Sequence, residues 1–164
     1  MFTSPLVKFA FVLVVLIGIA IGLAFPTART VAPVPAAAVA AEDPPVETVI
    51  ERSSSGHFSA VADVNGEPIR LVVDTGADTV ALTLDDAKRA HVVFDPALFE
   101  VIGSGASGDV RGQNVTIDSI VLDGKRAAAV RGVVLEGLSV SLLGQSYLAK
   151  LDSVHISHDT MRLR

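Results

Sequence analysis

The chain has 164 residues, of which half are hydrophobic and 19% are charged, and it carries a formal net charge of −5. Its lysines and arginines form no cluster in the body of the chain, so no nucleic-acid partner is expected. The absence of cysteine excludes a disulfide framework, a thiolate metal site and a cysteine nucleophile. Once an N-terminal apolar segment is set aside, the length suffices for about one small domain.

The first predicted element is an N-terminal membrane anchor, residues 1–25. Every residue from 9 to 25 is apolar or Gly. This run is at the short end of the range for a membrane-spanning helix and is long for the apolar core of a cleaved signal peptide. The following residues form a poor cleavage site, so an uncleaved single-pass transmembrane helix is favoured, with a cleaved signal peptide as the alternative. Lys8 favours a cytoplasmic N-terminus, which would place the rest of the chain on the non-cytoplasmic, periplasmic side.

Residues 26–56 are rich in Pro and Ala and are predicted to form an extended linker. Residues 57–164 are predicted to form the folded domain. Apolar and polar residues alternate from 58 to 64, and Asn65-Gly66 then predicts a tight turn into a second strand at 69–73.

The rest of the domain is also predicted to be mostly β. Thr83 and the acidic pair Asp85-Asp86 are predicted to cap a short helix that runs to Ala90. Many short strands with little helix indicate a small barrel or folded sheet. Further strands are predicted at residues 80–84, 99–102, 115–122, 127–135, 138–143, 154–156 and 161–163.

One carboxylate, that of Asp74, follows directly after an apolar strand. The local sequence is Leu71-Val72-Val73-Asp74-Thr75-Gly76-Ala77-Asp78-Thr79-Val80. Gly76 permits a tight turn past the carboxylate, and flanking apolar residues would limit its solvation. For the tripeptide Asp-Thr-Gly alone, a simple Asx-type turn without chemistry is the alternative interpretation.

The longer string closely resembles the active-site segment of retroviral proteases and their bacterial retropepsin-like relatives. A second feature of that family, two apolar residues and a Gly before a short helix, is matched by Leu142-Leu143-Gly144 followed by residues 145–148. The resemblance covers about residues 58–163. It implies a small retropepsin-type acid protease barrel with one or two short helices, preceded here by the transmembrane helix.

The resemblance further implies an aspartic endopeptidase that acts on a peptide or protein substrate. The chain has one Asp-Thr-Gly, so two copies would have to pair as a homodimer to supply two aspartates, with Asp74 catalytic in each. Such chemistry requires neither a metal nor a cofactor. Thr75 and Gly76 would support the loop, and Ala77 and Asp78 would contact the substrate backbone, with a capping role as the alternative for Asp78.

A mobile flap over the site is predicted after residue 102, where the residues are small. This stretch lacks the bulky tip found in some relatives, and it lacks the Gly-Lys-Ser/Thr ending of a phosphate-binding loop. The predicted flap residues are Gly103, Ser104, Gly105, Ala106, Ser107 and Gly108.

Other candidate functions are weaker. His155 and His158 would point to opposite faces of a strand, so no metal site is predicted. Ser104 and Ser107 have no evident triad partners, which disfavours a serine hydrolase. The alternative from another class is a non-catalytic, membrane-tethered binding or assembly domain that keeps the fold without the activity.

Overall fold

The computed structural model describes residues 44–105 and 108–164, and within these ranges the chain is mostly β. The helices are short: α1 is Leu84–Arg89, α2 is Gln145–Leu148, and Pro96–Leu98 forms a 3₁₀ turn. The strands are β1 (Thr48–Glu51), β2 (Ser59–Val64), β3 (Glu67–Val73), β4 (Val80–Leu82), β5 (Glu100–Gly105), β6 (Gly108–Leu122), β7 (Lys125–Leu135), β8 (Ser141–Leu143), β9 (Val154–Ser157) and β10 (Thr160–Leu163).

The larger sheet is a closed barrel. Its strands lie in the order β2-β3-β8-β4-β7-β6-β5, and β2 also pairs with β6 through Asp63↔Val121 and Val64↔Ile120. This second pairing closes six strands into a ring, which satisfies the backbone groups that an open sheet would leave exposed. The predicted small, mostly-β barrel with short helices is therefore confirmed.

Barrel strands such as β2 alternate between buried and exposed side chains, so one face of the sheet lines the interior. Along β2 the residues Ala60, Ala62 and Val64 are buried, while Val61 and Asp63 are exposed. Inward-facing side chains of this kind pack together as one core, and burying their apolar area is the main stabilising contribution. The largest fully buried members are Tyr147, Ile69, Leu71, Leu82, Ile117, Ile120, Leu122, Leu143, Met161 and Leu163.

The turn predicted at Asn65-Gly66 is present, and a second turn at Asp123-Gly124 has the same backbone conformation. Asn65 and Gly66 have φ values of 51° and 87°, and Asp123 and Gly124 have values of 47° and 76°. Positive φ at both central positions matches the right-handed twist of the strands in a two-residue hairpin. The first turn joins β2 to β3, and the second joins β6 to β7.

A smaller sheet has the order β1-β10-β9. Its first strand lies in the stretch assigned to the linker by the sequence analysis, which corrects the expectation of a spacer throughout 26–56. The neighbouring prolines obscured a strand of only four residues, in which Thr48 and Ile50 are buried by pairing with β10. Lys125 holds this strand, since its Nζ donates to the Val46 carbonyl oxygen and to Thr48 Oγ1.

The predicted membrane anchor at residues 1–25 lies outside the described residues, as does the greater part of the predicted linker. In the ranges that the structure describes, no helix combines the length and apolar character needed to cross a membrane.

Candidate active site

Asp74 stands at the end of β3, immediately after the buried Val73. Strand β8 runs beside β3 in parallel, with Val73 opposite Leu143, and it also pairs with β4 through Leu142 and Ala81. The Asp74 amide donates to the Leu143 carbonyl oxygen at 3.1 Å, which extends the β3–β8 ladder to the carboxylate-bearing residue. The backbone of Asp74 is thus positioned by a core strand, while its side chain is half-buried.

The Asp74 carboxylate folds back on its own loop. Its Oδ1 accepts a hydrogen bond of 2.9 Å from the Gly76 amide, and the Ala77 amide donates to the Asp74 carbonyl oxygen at 3.3 Å. The Asx-type turn considered in the sequence analysis is therefore present. A β-carbon on Gly76 would lie 3.3 Å from Oδ1, so glycine at this position lets the carboxylate approach the backbone.

The segment Leu142-Leu143-Gly144 and the start of α2 contact the loop that follows Asp74. Gly144 leaves no room for a side chain against the carbonyl groups of Ala77 and Thr79. The next two amides, of Gln145 and Ser146, donate to the carbonyl oxygens of Ala77 and Asp78 at 2.8 and 3.1 Å. The structure therefore joins the two segments that the sequence analysis noted separately, because the N-terminus of α2 offers unpaired amides to the loop.

Two side chains at the start of α2, those of Gln145 and Ser146, make three further hydrogen bonds that were not predicted from the sequence. The Gln145 Nε2 donates to the Thr75 carbonyl oxygen at 2.8 Å. The Ser146 hydroxyl accepts from the Val80 amide at 3.0 Å and donates to the Arg131 carbonyl oxygen at 2.6 Å. No residue pattern indicated these contacts. The bonds to Thr75 and Val80 join positions 70 and 66 residues apart, whose proximity depends on the pairing of β8 with β3 and β4.

The residues predicted to contact a substrate have distinct environments. Ala77 is half-buried and Asp78 is exposed, and both use their carbonyl groups to bind α2. Within the described residues, the Asp78 carboxylate accepts no hydrogen bond, so the capping role considered for it is not seen there. The carboxylate is therefore accessible at the edge of the loop.

The described residues of the predicted flap lie at the end of β5 and the start of β6. The pairing continues to Gly105↔Gly108, with a register shift between Val101 and Gly103. Gly103–Gly105 belong to β5 and Gly108 begins β6, whereas Ala106 and Ser107 fall outside the described residues. The structure thus places the described glycines at the end of the paired strands β5 and β6.

The two histidines considered as metal ligands are both exposed. His155 lies on β9, and His158 lies in the turn after it, where its Nδ1 is 3.1 Å from the Ser157 hydroxyl. Within the described part of the chain, no group of three or more His, Asp or Glu side chains is arranged to hold a metal ion.

A surface cleft of about 230 Å³ is lined by residues that include Lys125, Tyr147 and Lys150, and no residue of the 74–79 loop lines it. Tyr147 lies at this cleft and donates from its hydroxyl to the Lys125 carbonyl oxygen at 2.8 Å. Burial raises the pKa of Tyr147 to about 12. Burial also lowers the pKa of Lys125, although the carboxylates of Asp123 and Glu47 act in the opposite direction and raise it. Because Asp74 and its loop do not line this cleft, it is not part of the candidate active site.

The closed barrel, with an Asp-Thr-Gly loop resting on a Gly-led helix, defines the class of fold found in aspartic proteases. A family model described as "gag-polyprotein putative aspartyl protease" matches residues 60–150. The chain is similar to a retropepsin-like aspartic protease from Rickettsia conorii, and the two sequences are 34% identical. Comparison with the crystal structure of that protein gives a TM-score of 0.62, and the match covers 72% of this chain and 90% of that chain. The chain belongs to the retropepsin-like aspartic protease family.

Two curated relatives are uncharacterised proteins, one from the cobV 5′ region of a Sinorhizobium species and one from Rickettsia prowazekii. Each is 33% identical, over 125 and 118 residues respectively. The matches cover 72% and 71% of this chain but 52% and 51% of the relatives. The chain therefore spans about half the length of the curated relatives it matches.

Proposed function

We propose that this protein is an aspartic endopeptidase whose active site is formed by two copies of the chain, each contributing Asp74. The observation that carries the proposal is the hydrogen bond from the Gly76 amide to Asp74 Oδ1 in an exposed loop at the end of β3. This bond orients one carboxylate oxygen. Within the described residues the other oxygen, Oδ2, accepts no hydrogen bond, so it is free to meet a water molecule or a second carboxylate.

The chemistry requires two such carboxylates close together. Two carboxylates in close contact do not both ionise, so the pair holds one proton. The ionised member takes a proton from a water molecule that attacks the peptide carbonyl carbon, and the protonated member donates to the carbonyl oxygen, which gives a tetrahedral diol. The diol then collapses: the carboxyl that received the water proton passes it to the amide nitrogen, the C–N bond breaks, the amine leaves, and a diol hydroxyl returns its proton to the other carboxylate as the new carboxylic acid forms. One chain supplies a single Asp-Thr-Gly, so the second carboxylate comes from a second copy.

The neighbouring residues take supporting roles in this proposal. Thr75 and Gly76 are exposed at the loop and would brace it against the partner copy, while Ala77 and Asp78 would contact the substrate backbone. The hairpin end that includes Gly103, Gly105 and Gly108 would close over a bound peptide, because glycines let a hairpin end change conformation at low cost.

The decisive experiment compares peptide cleavage by the parent protein and by Asp74→Asn. The amide keeps the shape of the side chain but removes the proton-sharing carboxylate, so cleavage should fall by about 10²- to 10⁴-fold. The matched control is Asp63→Asn, on the exposed side of β2, which should cleave like the parent. If a natively folded Asp74→Asn protein cleaves as fast as the parent, Asp74 is not catalytic and a binding or assembly domain becomes the better interpretation.

A mixing experiment tests the shared site. Parent protein and Asp74→Asn protein are combined in equal amounts at fixed total concentration and allowed to exchange subunits. If both aspartates are needed, only homodimers of the parent are active, roughly one quarter of the dimers. Activity proportional to the parent fraction, or full specific activity from a species that sediments as a monomer, would contradict a shared site.

We also propose that residues 9–25 anchor the chain in a membrane with the protease domain on the non-cytoplasmic, periplasmic side. The support is the uninterrupted apolar run and the poor cleavage site that follows it. Membrane fractionation tests the anchor, and protease treatment of spheroplasts, in which the outer membrane has been opened, tests the side on which the domain lies. A mature soluble chain beginning between residues 28 and 41 would show that the segment is a cleaved signal.

A further inference from the structure

The peptide unit between Thr75 and Gly76 is held from both sides. Its carbonyl oxygen accepts the hydrogen bond from Gln145 Nε2 at 2.8 Å, and its N–H donates to Asp74 Oδ1 at 2.9 Å. In a trans peptide the C=O and N–H bonds point in opposite directions within one plane. One rigid group therefore lies between the Gln145 amide and the Asp74 carboxylate.

We propose that Gln145 is a positioning residue that orients the Asp74 carboxylate through the Thr75–Gly76 peptide. This inference deepens the function proposed above and rests on it. Gln145 does not touch the reacting atoms. It fixes the plane of a peptide whose N–H fixes one oxygen of the catalytic carboxylate.

The direction of the Gln145 hydrogen bond follows from its partner. A carbonyl oxygen only accepts hydrogen bonds, so the NH₂ group of the side-chain amide must face Thr75. The hydrogen bonds then run in one direction, from Gln145 through the peptide to Asp74. Hydrogen bonds in such a chain polarise one another, and the Gly76 N–H becomes a stronger donor to a negatively charged oxygen.

The Gln145 side chain is exposed, but the main chain that carries it is held against the loop. The Gln145 amide donates to the Ala77 carbonyl oxygen at 2.8 Å, and Gly144 before it packs against Thr79. The residue therefore binds the loop at two points, with its main chain at Ala77 and its side chain at Thr75. The main chain of Gln145 is therefore already ordered, and only the rotamer freedom of its side chain is lost when the Thr75 hydrogen bond forms.

Without the Gln145 donor, the Thr75–Gly76 peptide would keep one hydrogen bond within the part of the chain that the structure describes, from its N–H to Asp74 Oδ1. The peptide plane would rotate more freely, and the carboxylate would sample orientations in which the dyad is not aligned. A small misplacement of a reacting group lowers the rate of the chemical step strongly, whereas substrate binding by distant subsites is little changed. The expected effect is on kcat more than on KM.

The experiment uses the detergent-solubilised full chain and two variants of one residue. Gln145→Met keeps the length of the side chain but has no donor, whereas Gln145→Lys keeps a donor that reaches the Thr75 carbonyl oxygen. Lys150→Met, an exposed position just beyond α2, is the matched control. The kcat and KM of peptide cleavage are measured for each, together with the amide resonance of Gly76 in protein labelled with ¹⁵N-glycine.

The proposal expects a kcat about 10- to 100-fold lower for Gln145→Met with little change in KM, a near-parent kcat for Gln145→Lys, and a Gly76 amide signal that shifts upfield in the Met variant alone. An unchanged Gly76 signal, or equal losses in both variants, would overturn it in favour of a purely structural role. A higher KM at constant kcat would overturn it in favour of a substrate contact. The resonance measurement needs no substrate, so it still decides the positioning role if the parent proves inactive and the proposed function fails.

Discussion

A β-carbon built on Gly144 would stand 2.2 Å from the carbonyl oxygen of Thr79 and 2.7 Å from its carbonyl carbon. Both of these atoms belong to the backbone, so no flexible side chain can move aside to make room. The start of α2 and the loop after Asp74 are in direct backbone contact, and glycine is what permits it.

Gly144→Ala should therefore destabilise the protein by about 1–3 kcal/mol or more, because the loop must shift away from α2. Thermal unfolding should show a correspondingly lower Tm. The matched control is Gly103→Ala, where a β-carbon would meet nothing within 4 Å and φ is not positive, so its Tm should equal that of the parent. Equal Tm values for the two variants would contradict the close contact.

Tyr147 should ionise at unusually high pH. Its pKa is raised to about 12 by burial, and it is the single tyrosine of the chain, so absorbance of the tyrosinate at 295 nm reports on it alone. The native protein should titrate near pH 12, and the denatured protein near the ordinary value of about 10. A native midpoint near 10 would show that the hydroxyl is open to solvent.

The same shift predicts how stability depends on alkaline pH. The folded state holds the Tyr147 proton more tightly than the unfolded state, so this contribution is complete below pH about 10 and is lost as pH rises toward 12. The loss amounts to roughly 3 kcal/mol, the equivalent of two pKa units. Tyr147→Phe cannot ionise, and denaturant unfolding between pH 10 and 12 should show a flatter profile for this variant.

Lys125→Met should loosen the segment that leads into β1. The lysine is buried and donates to the Val46 carbonyl oxygen and to Thr48 Oγ1, and its removal leaves both groups short of a donor, at a cost of about 1–3 kcal/mol. Hydrogen exchange at residues 46–50 should accelerate more than exchange within β3. Lys150→Met, at an exposed lysine, provides the control, and similar exchange in the two variants would refute the anchoring role.

Ser141→Ala should weaken the connection between β8 and α1. The buried Ser141 hydroxyl donates to Asp86 Oδ2 at 2.6 Å and accepts from the Thr83 amide at 3.1 Å. Alanine leaves both partners without this bond, so the free energy of unfolding should fall by about 1–3 kcal/mol. The exposed Ser139→Ala variant should unfold like the parent in urea, and a Ser141→Ala curve that coincides with it would contradict the prediction.

Local signals in the sequence were sufficient for several features. The alternation from 58 to 64 and the Asn65-Gly66 turn predicted the first hairpin, and Thr83 does cap α1 by accepting from the Asp86 amide. These features depend on neighbours a few residues apart, which the sequence shows directly. The family resemblance around Asp74 was also visible, because it depends on a contiguous string of residues.

Strand limits were less predictable. β6 begins at Gly108, seven residues before the predicted start at 115, and β8 begins at Ser141, three residues after the predicted start at 138. The polar and glycine-rich start of β6 is strand because it pairs with β5, and only the last part of the predicted β8 segment has partners on both sides. Both outcomes depend on pairing across the sheet.

The sequence by itself determined the mostly-β class, the tight turns and the Asp-Thr-Gly loop, because each depends on the order of nearby residues. Only the tertiary structure decided that β1 leaves the linker to join β10, that β2 closes the barrel on β6, and that Gln145 reaches the Thr75 carbonyl group. These contacts join residues that are far apart in the chain. Their physical cause is the packing of a shared core, which brings together backbone groups that no local pattern relates.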